Sequence, residues 1–229
     1  MSYQWSRNAE HIQSLFRPWK IGDGWDETSV ENAERMLSVR FPTILRNFYL
    51  SWGKRTDYNR SNDVLLDPNE TFEHFGHLVF CIENQAVNFW GVPIHQVDEP
   101  DPPVNYIYNE ETDTEWKPSH NQLSSFLDAL FYGHAFAKGA VHGASVRVPE
   151  EKWNTIEDLV RRHYTELQLE ATPWGLRPSE EFDHWILYIR PGIAIDINSR
   201  SIGLFTSART SEAIRDLGNL IGIRWEEVW

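Results

Sequence analysis

The sequence predicts an α+β fold: a single domain with N-terminal helices packed on a central, mostly antiparallel or mixed β-sheet, and further helices and a β-hairpin in the C-terminal third. Three observations carry this. Apolar residues recur at three- and four-residue spacing up to Gly53. From Asp63 to Asn109 the texture changes to short runs rich in Val, Ile, Phe and Tyr, divided by turn residues. After Ser119 helix-like and strand-like stretches alternate, and no Pro-, Gly- or Ser-rich linker divides them, so 1–229 is assigned to one domain.

In chain order, Trp5, Ala9, Ile12 and Phe16 share one helical face. Thr28 and Glu31 read as a capping box opening a helix whose apolar side is Val30, Ala33 and Leu37. In "FPTILRNFYLSWG", Pro42 suits a first turn, Ile44, Leu45, Phe48, Tyr49 and Trp52 form the buried stripe, and Gly53 stops the helix. "NDVLL", "GHLVFCI", "AVNFWGV" and "VNYIYN" read as strands. Pro93 lacks a ladder donor, which puts the end of the third run at an edge or outside the sheet. "NEETDTEW" reads as an exposed turn. Ser119 and Gln122 suggest a second capping box ahead of an amphipathic helix carrying Leu123, Phe126, Leu127, Leu130 and Phe131.

"PEEKWNTIEDLVRRHYTEL" then places Trp153, Ile156, Val160, His163 and Leu167 on one helical stripe, with Glu150 and Glu151 favourable in the first turn. "WILYIRPGIAIDINSRSIGLF" reads as two or three strands joined by "RPG" and "NSR" turns. "TSEAIRDLGNLIG" is a final helix and "IRWEEVW" a tail.

The formal charge is −13, and its placement says more than its size. Residues 61–116 hold twelve acids and no lysine or arginine, whereas the segments on either side are nearly balanced. Such a field repels nucleic acid phosphates and attracts basic proteins. It serves equally as a solvated face that keeps the chain soluble. Cys81 is the only cysteine, so no intrachain disulfide or multi-thiolate zinc site can form. The N-terminus lacks a basic stretch followed by an apolar one, and no apolar run is long enough to cross a bilayer, so a cytoplasmic protein is expected.

No sequence pattern singles out catalysis. His74 and His77, with Cys81 four residues on, form the one metal-like cluster, but the spacing matches no zinc pattern and no metal site is expected. Cys81 lies in an apolar run with no basic neighbour, as an inert core thiol does. Phosphate-binding loops, a G-x-S-x-G elbow and basic patches interleaved with aromatics are all absent from the sequence. Direct nucleic acid binding is therefore not expected, nor any cofactor. Eleven tryptophans would suit a sugar-binding surface, yet most sit on apolar helical stripes or in strand runs, which favours core packing.

Several small motifs occur in order: Pro42 opening a helix that ends at Gly53, then Glu83, Asn84 and Gln85, Trp90, and Asp101, Pro102, Pro103 and Val104, followed by the helix "LSSFLDAL". In this the chain resembles the SUKH superfamily, named for yeast cell-wall-synthesis regulators and rich in bacterial immunity proteins. The resemblance is clearest over 28–135 and weaker over the helix–strand–helix part at 136–229. It implies a single α+β domain without catalytic residues that binds and neutralises a polymorphic or contact-dependent toxin, often a nuclease. Nucleases carry basic substrate clefts, and an acidic surface can occupy one.

The expected function is thus an immunity protein that binds a cognate basic protein toxin as a monomer, a homodimer remaining open. The candidate partner-binding residues are Asp98, Glu99, Asp101, Glu110, Glu111, Asp113 and Glu115 for charge, with Tyr108 and Trp116 as anchors. Pro102 and Pro103 are expected to hold an extended approach to the next strand and keep these acids outward. The alternatives are an intracellular regulatory scaffold of the cell-wall-synthesis-regulator type and a carbohydrate-binding or glycoside-hydrolysing protein.

Overall fold

Local chemistry sets where the first three helices begin. The computed structural model describes residues 4–56, 63–109, 114–169, 185–198 and 203–229. Helix α1 (Ala9–Leu15) is too short to persist alone and is held by burying Ala9, Ile12 and Leu15. Trp5 and Phe16, expected on its face, lie just outside it and are buried beside it. Asp26, not Thr28, caps α2 (Glu27–Leu37), accepting the Ser29 N–H at 2.8 Å. The Thr28–Glu31 box does not form, because an acid two residues earlier takes the cap. Pro42 precedes α3 (Thr43–Trp52), which buries Leu45, Phe48, Tyr49 and Trp52 of the expected stripe, while Ile44 is only half-buried.

The β-rich middle forms one antiparallel sheet. Its strands are β1 (Asp63–Leu65), β2 (Phe72–His74), β3 (His77–Glu83), β4 (Asn88–Pro93), β5 (Val104–Tyr108) and β6 (Lys117–His120). They pair in the order β1-β3-β4-β5-β6, with β2 also on β3. Alternation divides the side chains: Leu78, Phe80, Trp90, Val92 and Val104 join the core shared with the helices, while Val79, Phe89 and Ile107 form a small cluster on the opposite, outer face. Pro93 sits at a local edge, as expected. It ends β4, a central strand, opposite His77 on β3, and is tolerated because pairing with β5 has stopped at Gly91.

Helix α4 (Leu123–His134) is buried on every residue but Ser125 and runs on into a π-helical turn at Ala135–Gly139. A helix apolar all round needs partners on more than one side. The first sheet, α1 and α3 pack against it, and a second sheet meets its π-helical continuation and adds Leu187 and Ala194 to the same buried cluster. The Ser119–Gln122 capping box is absent, because Ser119 belongs to β6 and its hydroxyl meets His120 Nδ1 at 2.9 Å.

The C-terminal third builds more than the expected hairpin. Strands β7 (His142–Arg147), β8 (Thr165–Leu167), β9 (Trp185–Arg190), β10 (Ile193–Asn198), β11 (Gly203–Ala208) and β12 (Glu227–Val228) make an antiparallel sheet in the order β12-β7-β11-β10-β9-β8. One face, with Leu187 and Ala194, joins the core around α4. The other, with Ile193, Ile195 and Ile197, packs under α5 (Trp153–His163) and α6 (Ser211–Ile221). Leu167 leaves the predicted helical stripe for β8, since α5 ends at His163. The "NSR" turn lies partly outside the described residues. The whole is a single α+β fold in four layers: sheet, helices, sheet, helices.

Candidate functional site

The candidate residues fall at different places on the first sheet. Asp98 and Glu99 are exposed in the turn after β4, where Glu99 accepts a hydrogen bond from Gln96 Nε2 at 3.3 Å. Glu115 is exposed just before β6. Glu110, Glu111 and Asp113 lie outside the described residues. Asp101 is turned inward: its Oδ1 accepts the Ser124 N–H at 2.8 Å and its Oδ2 the Ser124 hydroxyl at 2.6 Å. With Pro102 O accepting the Leu123 N–H at 2.8 Å, this segment satisfies the first amides of α4. The expectation that the double proline keeps every acid outward therefore fails at Asp101.

The two aromatic anchors do not share a surface. Tyr108 has the parity of Tyr106, which packs against the helix-side core, and Lys117 Nζ lies 5.0 Å from its ring centre. Trp116 lies on the outer face and reaches across β5 to β4, where Gly91 leaves room for it. Its indole stacks on the His77 ring, centroids 4.1 Å apart and planes 15° from parallel. Asn105 Nδ2 stands 3.0 Å from His77 Nε2 and fixes the ring from the far side. Burial holds His77 below the ordinary histidine range, so the stack stays uncharged near neutrality.

Around this stack the outer face is a lattice of rings. Phe72 meets Phe89 edge-on at 5.6 Å, His74 meets Phe89 edge-on at 5.5 Å, and Phe75 lies 4.3 Å from His74. The β2–β3 turn consists of Phe75 and Gly76, both with positive φ (43° and 75°) between the paired His74 and His77. That is the pattern of a type I′ turn, which favours Asn-Gly, whereas a bulky residue there is strained. Glu73 Oε1 accepts the Gly76 N–H at 2.7 Å and holds the turn closed. Gly76 O accepts the Ile94 N–H at 2.9 Å, tying the tip to the turn that carries Asp98 and Glu99. The "HFGH" stretch, where the sequence led to no expected metal site, is thus a two-residue hairpin, and that spacing was the available signal. Cys81, by contrast, is fully buried in the helix-side core, where burial pushes its thiol well up.

The acidic window also supports its own folding. Asp67 and Glu70 form a reciprocal capping box, and burial together with the nearby Glu70 charge raises the Asp67 carboxyl. Glu83 accepts from Asn88 Nδ2 at 2.9 Å across the β3–β4 turn. Asp98 opens on a cleft of about 700 Å³ whose other charged lining is Glu31, Glu34, Arg35, Arg40 and Arg46. There Arg46 pairs with Glu27 and Glu34 at 2.9 Å each, so cations of α2, α3 and their connection offset part of the Asp98 field. Glu99 lies outside that cleft, and among the described residues its carboxylate accepts only from a neutral donor, Gln96.

No protein-family model, curated protein or solved structure matches the chain.

Proposed function

We propose that this chain is an immunity-type protein that binds and neutralises a cationic protein toxin through the acidic side of its first sheet, without chemistry of its own. One observation carries the reading: the window of twelve acids without a lysine or arginine supplies, in its described part, strands β1 to β5 of one sheet, and Asp98, Glu99 and Glu115 are exposed there. A single-sign surface raises the encounter rate of a basic partner and repels like-charged ones. The ordered motifs shared with the SUKH superfamily support the same reading, since they imply a toxin-binding domain.

Gene neighbourhood and co-expression test it together. The proposal expects an adjacent gene for a large secreted toxin ending in a nuclease module, and expects co-expression with that module to restore growth. A neighbourhood without a toxin, or a toxin module that kills equally with and without this chain, would overturn it.

A further inference from the structure

We propose that the outer face of the first sheet, at the Phe75 hairpin tip, docks an arginine-bearing segment of a basic protein. This rests on the acidic-surface reading and adds to it which face receives the partner and which cation that face prefers.

Phe75 is the starting point. The residue is 54% exposed at a positive φ, in a turn position that Asn would fill with less strain. In this place it buries little for the fold, resting chiefly on His74. Behind it the half-buried rings of His74, His77 and Trp116 lie around the buried Phe89, and the apolar cluster beneath contains only residues of this sheet and its turns. Among the described residues no helix covers that face.

Charge complementarity selects the occupant. No lysine or arginine occurs from 61 to 116, and Lys117, the next cation, turns away to sit over Tyr108 on the opposite face. Glu73 is exposed beside the tip, and the hydrogen-bonded Ile94 leads within five residues to the exposed Glu99, while Asp98 opens on the α2–α3 cleft. Rings bordered by carboxylates suit guanidinium better than ammonium, because the planar guanidinium stacks on a ring while donating in-plane to a carboxylate. A second copy of this chain is a poor occupant, since a net charge of −13 repels its own kind.

The test uses the full chain, ¹⁵N-labelled, titrated with hexa-arginine and hexa-lysine peptides of equal charge. Hexa-arginine should bind about fivefold tighter than hexa-lysine, shifting the Trp116 indole N–H and the amides of residues 73–77. Phe75→Asn should melt no lower than the parent, because Asn-Gly relieves the turn, yet lose the preference for arginine; Phe75→Tyr should keep it. Glu99→Gln with Glu115→Gln should weaken both peptides alike. If the charge variant weakens both peptides while Phe75→Asn changes nothing, the acidic-surface reading stands and the assignment of this face falls. If the charge variant affects neither peptide, both fall. A dimer in sedimentation that Phe75→Asn dissolves would give the face to a second copy and overturn the proposal.

Discussion

Trp116 and His77 stack at 4.1 Å although one immediately precedes β6 and the other opens β3, with β5 and β4 between these strands. The indole reaches that far because Gly91 of β4 has no side chain. A Cβ there would stand 3.1 Å from Trp116 Cη2, 3.2 Å from His77 Cβ and 2.9 Å from Leu78 O. Gly91→Ala should therefore cost about 1–3 kcal/mol through overpacking, and less in a Trp116→Ala background. Urea unfolding of the two single variants and the double variant measures this; equal costs in both backgrounds would show that Trp116 is not what the methyl group meets.

Asp101→Ala should lower stability by about 1–2 kcal/mol, the usual value of a helix cap, and Asp101→Asn by less, because an amide oxygen still accepts the Ser124 N–H. Since both carboxylate oxygens are engaged with Ser124, Asp101→Asn should leave the on-rate of a basic partner nearly unchanged. Unfolding midpoints that do not move in Asp101→Ala would refute the cap.

Reversing the exposed acids should do the opposite. The triple change of Asp98, Glu99 and Glu115 to Lys should leave the melting temperature close to the parent's, and slow association with the toxin by about tenfold at low salt. At about 0.15 M ionic strength the gap should shrink, because exposed charges are screened within about 8 Å. Stopped-flow association at the two salt concentrations reads this directly, and an unchanged on-rate would remove these acids from the contact.

Buried ionisable groups give stability a pH dependence of worked sign. Burial lowers His120 from 6.5 to about 4 and His134 from 6.5 to about 3. Their contribution is present above pH 6.5 and is lost as pH falls toward the folded values, at about 3 kcal/mol for His120. Burial raises Asp128 from 3.8 to about 6, against hydrogen bonds from Ser6 and Asn8 that favour its carboxylate. Its contribution is present below pH 3.8 and is lost as pH rises to 6, so it opposes the histidines in the same window. Stability should thus climb from pH 4 to 6.5 in the parent, climb more steeply in Asp128→Asn, and flatten in His120→Phe. Urea unfolding across that range checks all three slopes.

Elements with strong local periodicity were legible in the sequence. The stripe of α3 and the alternation in β3, β4 and β5 stand where their residues predict them. What escaped depends on contacts between distant residues. The α4 cap comes from Asp101, 23 positions before Ser124, so the nearer Ser119 misled. Strand β7 looks weak because it is small at Gly143, where the Trp229 indole presses so closely that a Cβ would stand 2.3 Å away. The outer aromatic face was hidden for the same reason: its members come from several strands, and nothing in "HFGH" announces the indole that lies on it. The acidic window was visible as composition, but composition could not tell Asp101, which faces inward, from Glu99, which faces out.

The position of α4 settles how the chain must come apart. Both sheets contribute side chains to the one buried cluster that holds this helix, so neither half keeps a finished interior without the other. A fragment ending near residue 135 would leave part of that cluster bare to water. The C-terminal third is thus the missing wall of the N-terminal part's own interior, and the chain should unfold as one cooperative unit.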